Sequence, residues 1–168
     1  MVKRVKPLIL ILVLIAFVSA LVAFWAVFLR DPPPVLPPDE LPSLETNAIP
    51  TEDEEKMDQP EGGGSVNITY SAQVSISLAG QEVGLYFSNP ARSNQSMVLE
   101  VIIQGVTVAQ SGALPPGYLV ETLPLLGTAK LLAGTYEGKF HVLFYDSAGG
   151  KAILDTEIPV TITVTLEK

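Results

Sequence analysis

Hydrophobic and polar positions alternate along most of the C-terminal two thirds of the chain. The clearest case is the last stretch, where every second residue is apolar and threonines stand between: Ile158, Val160, Ile162, Val164 and Leu166. Such period-two alternation is typical of a half-buried β-strand. It recurs four more times, at 74–78, 83–87, 97–108 and 136–145. With a shorter strand near 118–123, the pattern predicts about seven strands over residues 65–168, arranged as an antiparallel β-sandwich of two sheets.

The sharpest local prediction is a hairpin at Gln104-Gly105. Apolar residues keep one parity up to Ile103, and the apolar set then resumes at Val106. A two-residue loop places its flanking residues opposite each other on one face of the sheet. The change of parity therefore indicates a two-residue turn between two paired strands.

The N-terminal part has a different pattern, because Pro7 to Leu29 is a run of 23 residues without a charge. A helix of about 20 apolar residues spans a bilayer. We predict a single-pass transmembrane helix that acts as a signal anchor within residues 1–30. A signal peptide cleaved after Ala20 is the alternative, since Val18-Ser19-Ala20 has small residues at a suitable place.

Charge predicts the orientation of this helix. Lys3, Arg4 and Lys6 precede it, whereas Arg30 is followed at once by Asp31 and an acidic segment. The basic side of a span stays in the cytoplasm. The predicted location is the plasma membrane, with a cytoplasmic N-terminus and an extracytoplasmic C-terminal domain.

Residues 31–64 predict a disordered stalk. They contain 8 prolines and 10 acidic residues and end in three glycines. Such a composition cannot bury enough apolar surface to offset its conformational entropy.

Composition excludes several functions. The net charge of −8, concentrated outside residues 1–30, disfavours nucleic acid as a partner. There is no cysteine, so disulfides and thiolate chemistry are absent, which fits a bacterial exported protein better than a eukaryotic one.

Candidate chemistry is sparse. His141 is the only histidine and has the outward parity of its strand, and Asp146, Asp155 and Glu157 lie near predicted turns. Asp146 begins a stretch that lacks the further carboxylates of a calcium loop. We predict no catalytic residue, no metal site and no cofactor.

Aromatic residues are the remaining candidates for binding. Tyr86 and Tyr145 have the outward parity of their strands, and Tyr70 lies near an edge. Together they predict a platform for sugar rings or for a protein surface. The alternative is that tyrosine simply suits a half-buried sheet position.

One motif resembles a known family. Leu132, Gly134 and Tyr136 stand at alternate positions, and Leu114-Pro115-Pro116-Gly117 precedes an earlier strand. This combination is similar to bacterial immunoglobulin-like surface domains, in which a tyrosine hydroxyl ties a loop to its strand. The second position after Tyr136 is Gly138, so the family disulfide is missing. The plan of anchor, stalk and domain also resembles small uncharacterised surface proteins of clostridia and related Gram-positive bacteria.

These features together predict a non-catalytic binding or structural module that recruits or braces another envelope protein or a surface glycan. Strand addition at a sheet edge is one predicted mode, with Pro159–Leu166 or the 97–108 hairpin as candidate edges. The alternatives are a cell-surface carbohydrate-binding module and a small hydrolase built on His141 or on a carboxylate pair.

Overall fold

A computed structural model of the chain describes residues 13–19, 38–52, 54–58, 63–127 and 131–167. The chain divides into two compact units, Met1–Pro33 and Pro34–Lys168. In the first unit, the described residues form one helix, α1 (residues 13–19). In the second, they form strands β1 (Ile49–Pro50), β2 (Thr69–Tyr70), β3 (Gln73–Ser77), β4 (Glu82–Asn89), β5 (Ser96–Ile103), β6 (Val106–Gln110), β7 (Tyr118–Pro124), β8 (Gly134–Tyr145) and β9 (Lys151–Thr165).

The prediction of a transmembrane anchor is not supported. Among the described residues, no helix is long and apolar enough to cross a membrane. The other residues of the predicted span, 7–12 and 20–29, lie outside the described part of the chain. The predicted single-pass topology and plasma-membrane location are therefore corrected.

The strands form one curled sheet, and the predicted sandwich of two separate sheets is wrong. The order along the sheet is β1-β7-β4-β3-β9-β8-β5-β6, and β2 pairs with β4 beside this path. The cause is β3, which pairs antiparallel with β4 on one side and parallel with the end of β9 on the other. Strand β3 thereby joins two groups of strands, β1-β7-β4 and β9-β8-β5-β6, which we call the two arms. The result is one half-barrel sheet.

The predicted hairpin is confirmed. Ile103 and Val106 are direct partners across the turn between β5 and β6. Gln104 has φ 52° and Gly105 has φ 80°. Two successive positive φ angles are the signature of the tight turn that suits the twist of paired strands.

The concave side of the half-barrel encloses the main hydrophobic core. Most of its residues come from β3 to β9, where inward-facing side chains occupy alternate positions. Phe87 on β4 and Phe140 on β8 meet edge to face, with ring centroids 6.0 Å apart. Because β4 and β8 lie on different arms of the sheet, this contact shows that the two arms close on one another.

The predicted disordered stalk is corrected for residues 38–52 and 54–58, which we call the N-terminal segment. Its backbone bonds to the β-domain at several points: Leu41 N to Gly149 O at 3.3 Å, Thr51 N to Gly117 O at 2.8 Å and Met57 N to Arg92 O at 2.8 Å. Its strand β1 pairs antiparallel with β7. Composition predicts disorder from the shortage of apolar side chains, but here backbone hydrogen bonds to sheet edges and loops hold the segment.

Candidate functional site

Tyr145 does not lie on the surface, although its parity predicts an outward position. Its side chain is fully buried, and it forms a small second hydrophobic cluster with Val98 and Leu143, against which Leu41 packs. The Tyr145 hydroxyl donates a hydrogen bond to Pro38 O at 2.6 Å. The N-terminal segment therefore covers the outer face that the sequence left exposed, and Tyr145 is unavailable to a ligand.

Tyr70 and Tyr86 are more accessible but point in different directions. Tyr70 is 42% exposed, and its ring lies 6.3 Å from that of Phe140, edge to face. Its cross-strand partner is Phe87, a core residue. Tyr86 is the neighbour of Phe87 in β4 and is half-buried. Its side chain therefore lies on the opposite face of the sheet. The three tyrosines therefore do not form one platform.

His141 is the centre of a cluster of ionisable side chains on the outer face of the sheet. It lies on β8, between Glu100 on β5 and Asp155 on β9. His141 Nδ1 is 2.7 Å from Glu100 Oε2, and His141 Nε2 is 2.8 Å from Asp155 Oδ2. The exposed fractions of the three side chains are 14% for His141, 2% for Glu100 and 53% for Asp155. We call these three residues the His141 cluster.

The two carboxylates change the ionisation of the imidazole. Burial by itself would lower the pKa of His141, but the hydrogen bonds and negative charges of Asp155 and Glu100 outweigh it and raise that pKa. In return, the hydrogen bond from His141 lowers the pKa of Asp155. Both shifts favour an imidazolium between two carboxylates, which donates an N–H on each side.

This arrangement is unsuited to hydrolysis. In a nucleophilic triad one ring nitrogen bonds a carboxylate, and the other takes a proton from a hydroxyl. Both nitrogens of His141 already face carboxylates. Among the described residues, no group of three or more histidines and carboxylates is placed to hold a metal ion. Asp146 caps its own turn, since its Oδ1 accepts from Ala148 N and Gly150 N at 2.8 and 2.9 Å.

Sequence reasoning passed over Glu100. The available signal was weak: Glu100 shares the parity of Val98 and Ile102 and is the one charged residue in β5. A charged side chain in an otherwise apolar strand indicates that a neighbouring strand carries a polar or charged partner for it. The partner is His141, which is its direct neighbour in the register of β5 and β8.

Other parts of the chain cover the edge strands at the two ends of the sheet. At the β6 end, Leu126 N donates to Val108 O at 2.8 Å, so the predicted 97–108 hairpin offers no continuous free edge. At the other end, β1 covers the start of β7, and the Asn47 side-chain amide donates to Thr122 O at 3.2 Å. Such capping is how sheets avoid unwanted pairing.

Within the part of the chain that the structure describes, β9 has an open edge. Strand β3 pairs only with Thr161–Thr165, so the candidate segment Pro159–Leu166 is largely internal. The N-terminal segment bridges the start of β9, where Glu40 pairs with Gly150. Residues 155–160 then pair with β8 on one side, and residues 152–160 pair with no described segment on the other. We call residues 152–160 the open edge.

Backbone alternation shows which groups face outward from the open edge. Thr161 N donates to Ala72 O at 2.8 Å, so the N–H of Thr161 points away from β8. Register between β8 and β9 is regular from Asp155 to Val164. Hence Asp155 and Glu157 also direct their N–H and C=O groups to the open side. The backbone nitrogen of Pro159 also points to the open side. A proline therefore fits inside this long strand, because the N–H that it lacks would not have bonded to β8.

A cleft of about 1020 Å³ runs beside the open edge. Its far wall includes Val66 and Ile68 from the segment that leads into β2, and its near wall includes Ala152 and Thr156 of β9. Val66, Ile68 and Ala152 are half-buried and pack against the main core. The cleft thus lies between β9 and the segment that leads into β2.

No protein-family model matches this sequence, and no curated protein matches it either.

Proposed function

We propose that this protein is a non-catalytic binding module that recruits another protein by taking an extended segment of that partner along the open edge of β9. The observation that carries the proposal is that the outward backbone groups of residues 152–160 pair with no described segment and lie beside a cleft. Strand addition uses backbone hydrogen bonds for affinity and side-chain contacts for selectivity.

Two further observations support this assignment. The other ends of the sheet are capped by the chain's own residues, at Val108 and Thr122, whereas the open edge has no such cover among the described residues. The His141 cluster, in turn, bridges β5, β8 and β9. It stiffens the strand that carries the open edge and has no nitrogen left for acid–base chemistry.

The first test locates the partner. A photocrosslinking amino acid is placed in the full chain at Leu154, on the open edge, and at Leu132 as a matched control. These two leucines are 78% and 77% exposed, so chance encounters are equally frequent at both. We expect a specific polypeptide crosslink from position 154 alone. Equal crosslinking from both positions, or a glycan in place of a polypeptide, would contradict the proposal.

The second test separates backbone pairing from side-chain recognition. Glu157→Pro removes an outward N–H and the side-chain charge, and Glu157→Gln removes the charge alone. Pro159 shows that β9 tolerates proline in this phase, and circular dichroism verifies that each variant folds. If the partner adds as a strand, E157P abolishes the crosslink from position 154 and E157Q retains it. Retention by both variants argues against strand addition.

A further inference from the structure

The side chains along the cleft indicate which kind of segment it accepts, provided that the proposed strand addition holds. We propose that the partner segment is an extended peptide in which apolar and basic side chains alternate. An added strand directs successive side chains to opposite faces of the sheet. One set would enter the half-barrel beside the core, and the other would lie on the outer face.

The inner side of the cleft includes an apolar strip, although Asn67, Asn94 and Gln95 also line the cleft. Val66 and Ile68 on its far wall and Ala152 on its near wall are half-buried contacts of the main core. Phe144, which is 7% exposed, lies at the base between them. Side chains of the added strand that point inward therefore meet carbon surface, and an apolar residue there removes that surface from water.

The outer side carries an excess of negative charge. Asp155 and Glu157 stand on the outer face of the open edge and are 53% and 55% exposed. Lys139 contacts Glu157 at 2.5 Å, and His141 contacts Asp155. Glu100 and Glu137 add two more carboxylates on the same face, and the charge of Lys151 acts on Asp155. The patch therefore has four carboxylates against two lysines and one histidine. Cross-strand pairs of opposite charge favour association, and like charges oppose it.

The same charges argue against a second copy of this chain as the occupant. Two open edges paired antiparallel would bring Asp155 and Glu157 of one copy beside those of the other. In the register that places Asp155 of each copy opposite Glu157 of the other, four carboxylates meet at the centre of the interface, and Lys151 lies away from that centre. A basic peptide would be attracted to these carboxylates and not repelled. We therefore propose a basic peptide, and not a second copy of the chain, as the occupant.

The test uses fluorescence anisotropy with the full chain and three labelled heptapeptides. The first alternates lysine with valine and isoleucine, the second has the same composition with the lysines in one block, and the third replaces each lysine by glutamate. We expect the alternating basic peptide to bind most tightly. Asp155→Asn and Glu157→Gln should each weaken it by about two- to fivefold, as expected for loss of one cross-strand charge pair.

The outcomes separate this inference from the proposed function. Equal binding of the acidic peptide, or equal binding of the blocked peptide, overturns the inference and leaves strand addition standing. If no alternating peptide of either charge binds and the crosslink from position 154 is also absent, the proposed function fails with it. A dimer of the full chain that dissociates on Glu157→Pro, detected by analytical ultracentrifugation, would identify a second copy as the occupant and overturn the inference.

Discussion

Replacing His141 by phenylalanine tests how far the buried carboxylate of Glu100 depends on its partner. Glu100 is 2% exposed, and its Oε2 atom faces His141 Nδ1 at 2.7 Å. Its other oxygen, Oε1, is buried and has no hydrogen-bond partner among the described residues. Phenylalanine keeps a ring of similar size but donates nothing. The variant therefore leaves a buried carboxylate with no partner on either oxygen.

The expected cost follows from the two sides of the cluster. A hydrogen bond to a charged group contributes about 1.5–3 kcal/mol, and removing one partner of a buried ion pair costs about 3–5 kcal/mol. We expect His141→Phe to lower the free energy of unfolding by about 3 kcal/mol at pH 6. Asp155→Asn, at the exposed side of the cluster, should cost less than about 1 kcal/mol.

The assay is urea denaturation of the full chain, followed by far-ultraviolet circular dichroism. Wild type, H141F and D155N are compared at the same pH and salt, and the free energy is taken from the linear dependence on urea. A loss below about 0.5 kcal/mol for H141F, within the range of ordinary surface changes, would refute the reasoning. So would an equal loss for D155N, because burial of Glu100 would then not be the cause.

Three further predictions concern pH and packing. The raised pKa of His141 gives a contribution to stability that is complete below the histidine's unfolded pKa and is lost as pH rises through the folded pKa. Urea titrations of the wild type from pH 5 to 9, in roughly unit steps, should show this loss. Gly138→Ala should lower the free energy of unfolding by about 2 kcal/mol, because the added Cβ would collide with the Ile162 side chain and lie 2.9 Å from Ile102 O. The control is Gly127→Ala, whose Cβ would meet nothing within 4 Å. This control should change thermal stability little. Tyr136→Phe should cost about 1 kcal/mol in urea denaturation by removing the hydrogen bond to Leu132 O at 2.9 Å, with Tyr118→Phe as the control.

Local features were readable from the sequence because neighbouring residues encode them. Period-two alternation predicted the strands at 74–78, 83–87, 97–108 and 136–145, and each of these stretches holds strand residues. The turn at Gln104-Gly105 followed from the change in parity of the apolar residues on either side. The Tyr136 hydroxyl bonds Leu132 and so ties the loop to β8, while the family resemblance drawn from that motif stays a prediction.

The burial of polar and aromatic side chains could not be predicted from the sequence. Parity placed both His141 and Tyr145 on an outer face, which is correct within their own strand. What covers that face comes from elsewhere in the chain: Glu100 is 41 residues from His141, and Pro38 is 107 residues from Tyr145. Alternation reports the side of a strand on which a residue lies, but it carries no information about what packs there.

The sequence by itself determined where strands and tight turns form, because those follow from side-chain alternation and from backbone preferences over a few residues. Only the tertiary structure decided that β3 joins both arms into one sheet, that the N-terminal segment is bound, and that residues 152–160 keep an open edge. The physical reason is that strand pairing is made by backbone groups, which every residue carries alike. Which strands meet, and which edge is left over, therefore depends on how the whole chain closes around its core.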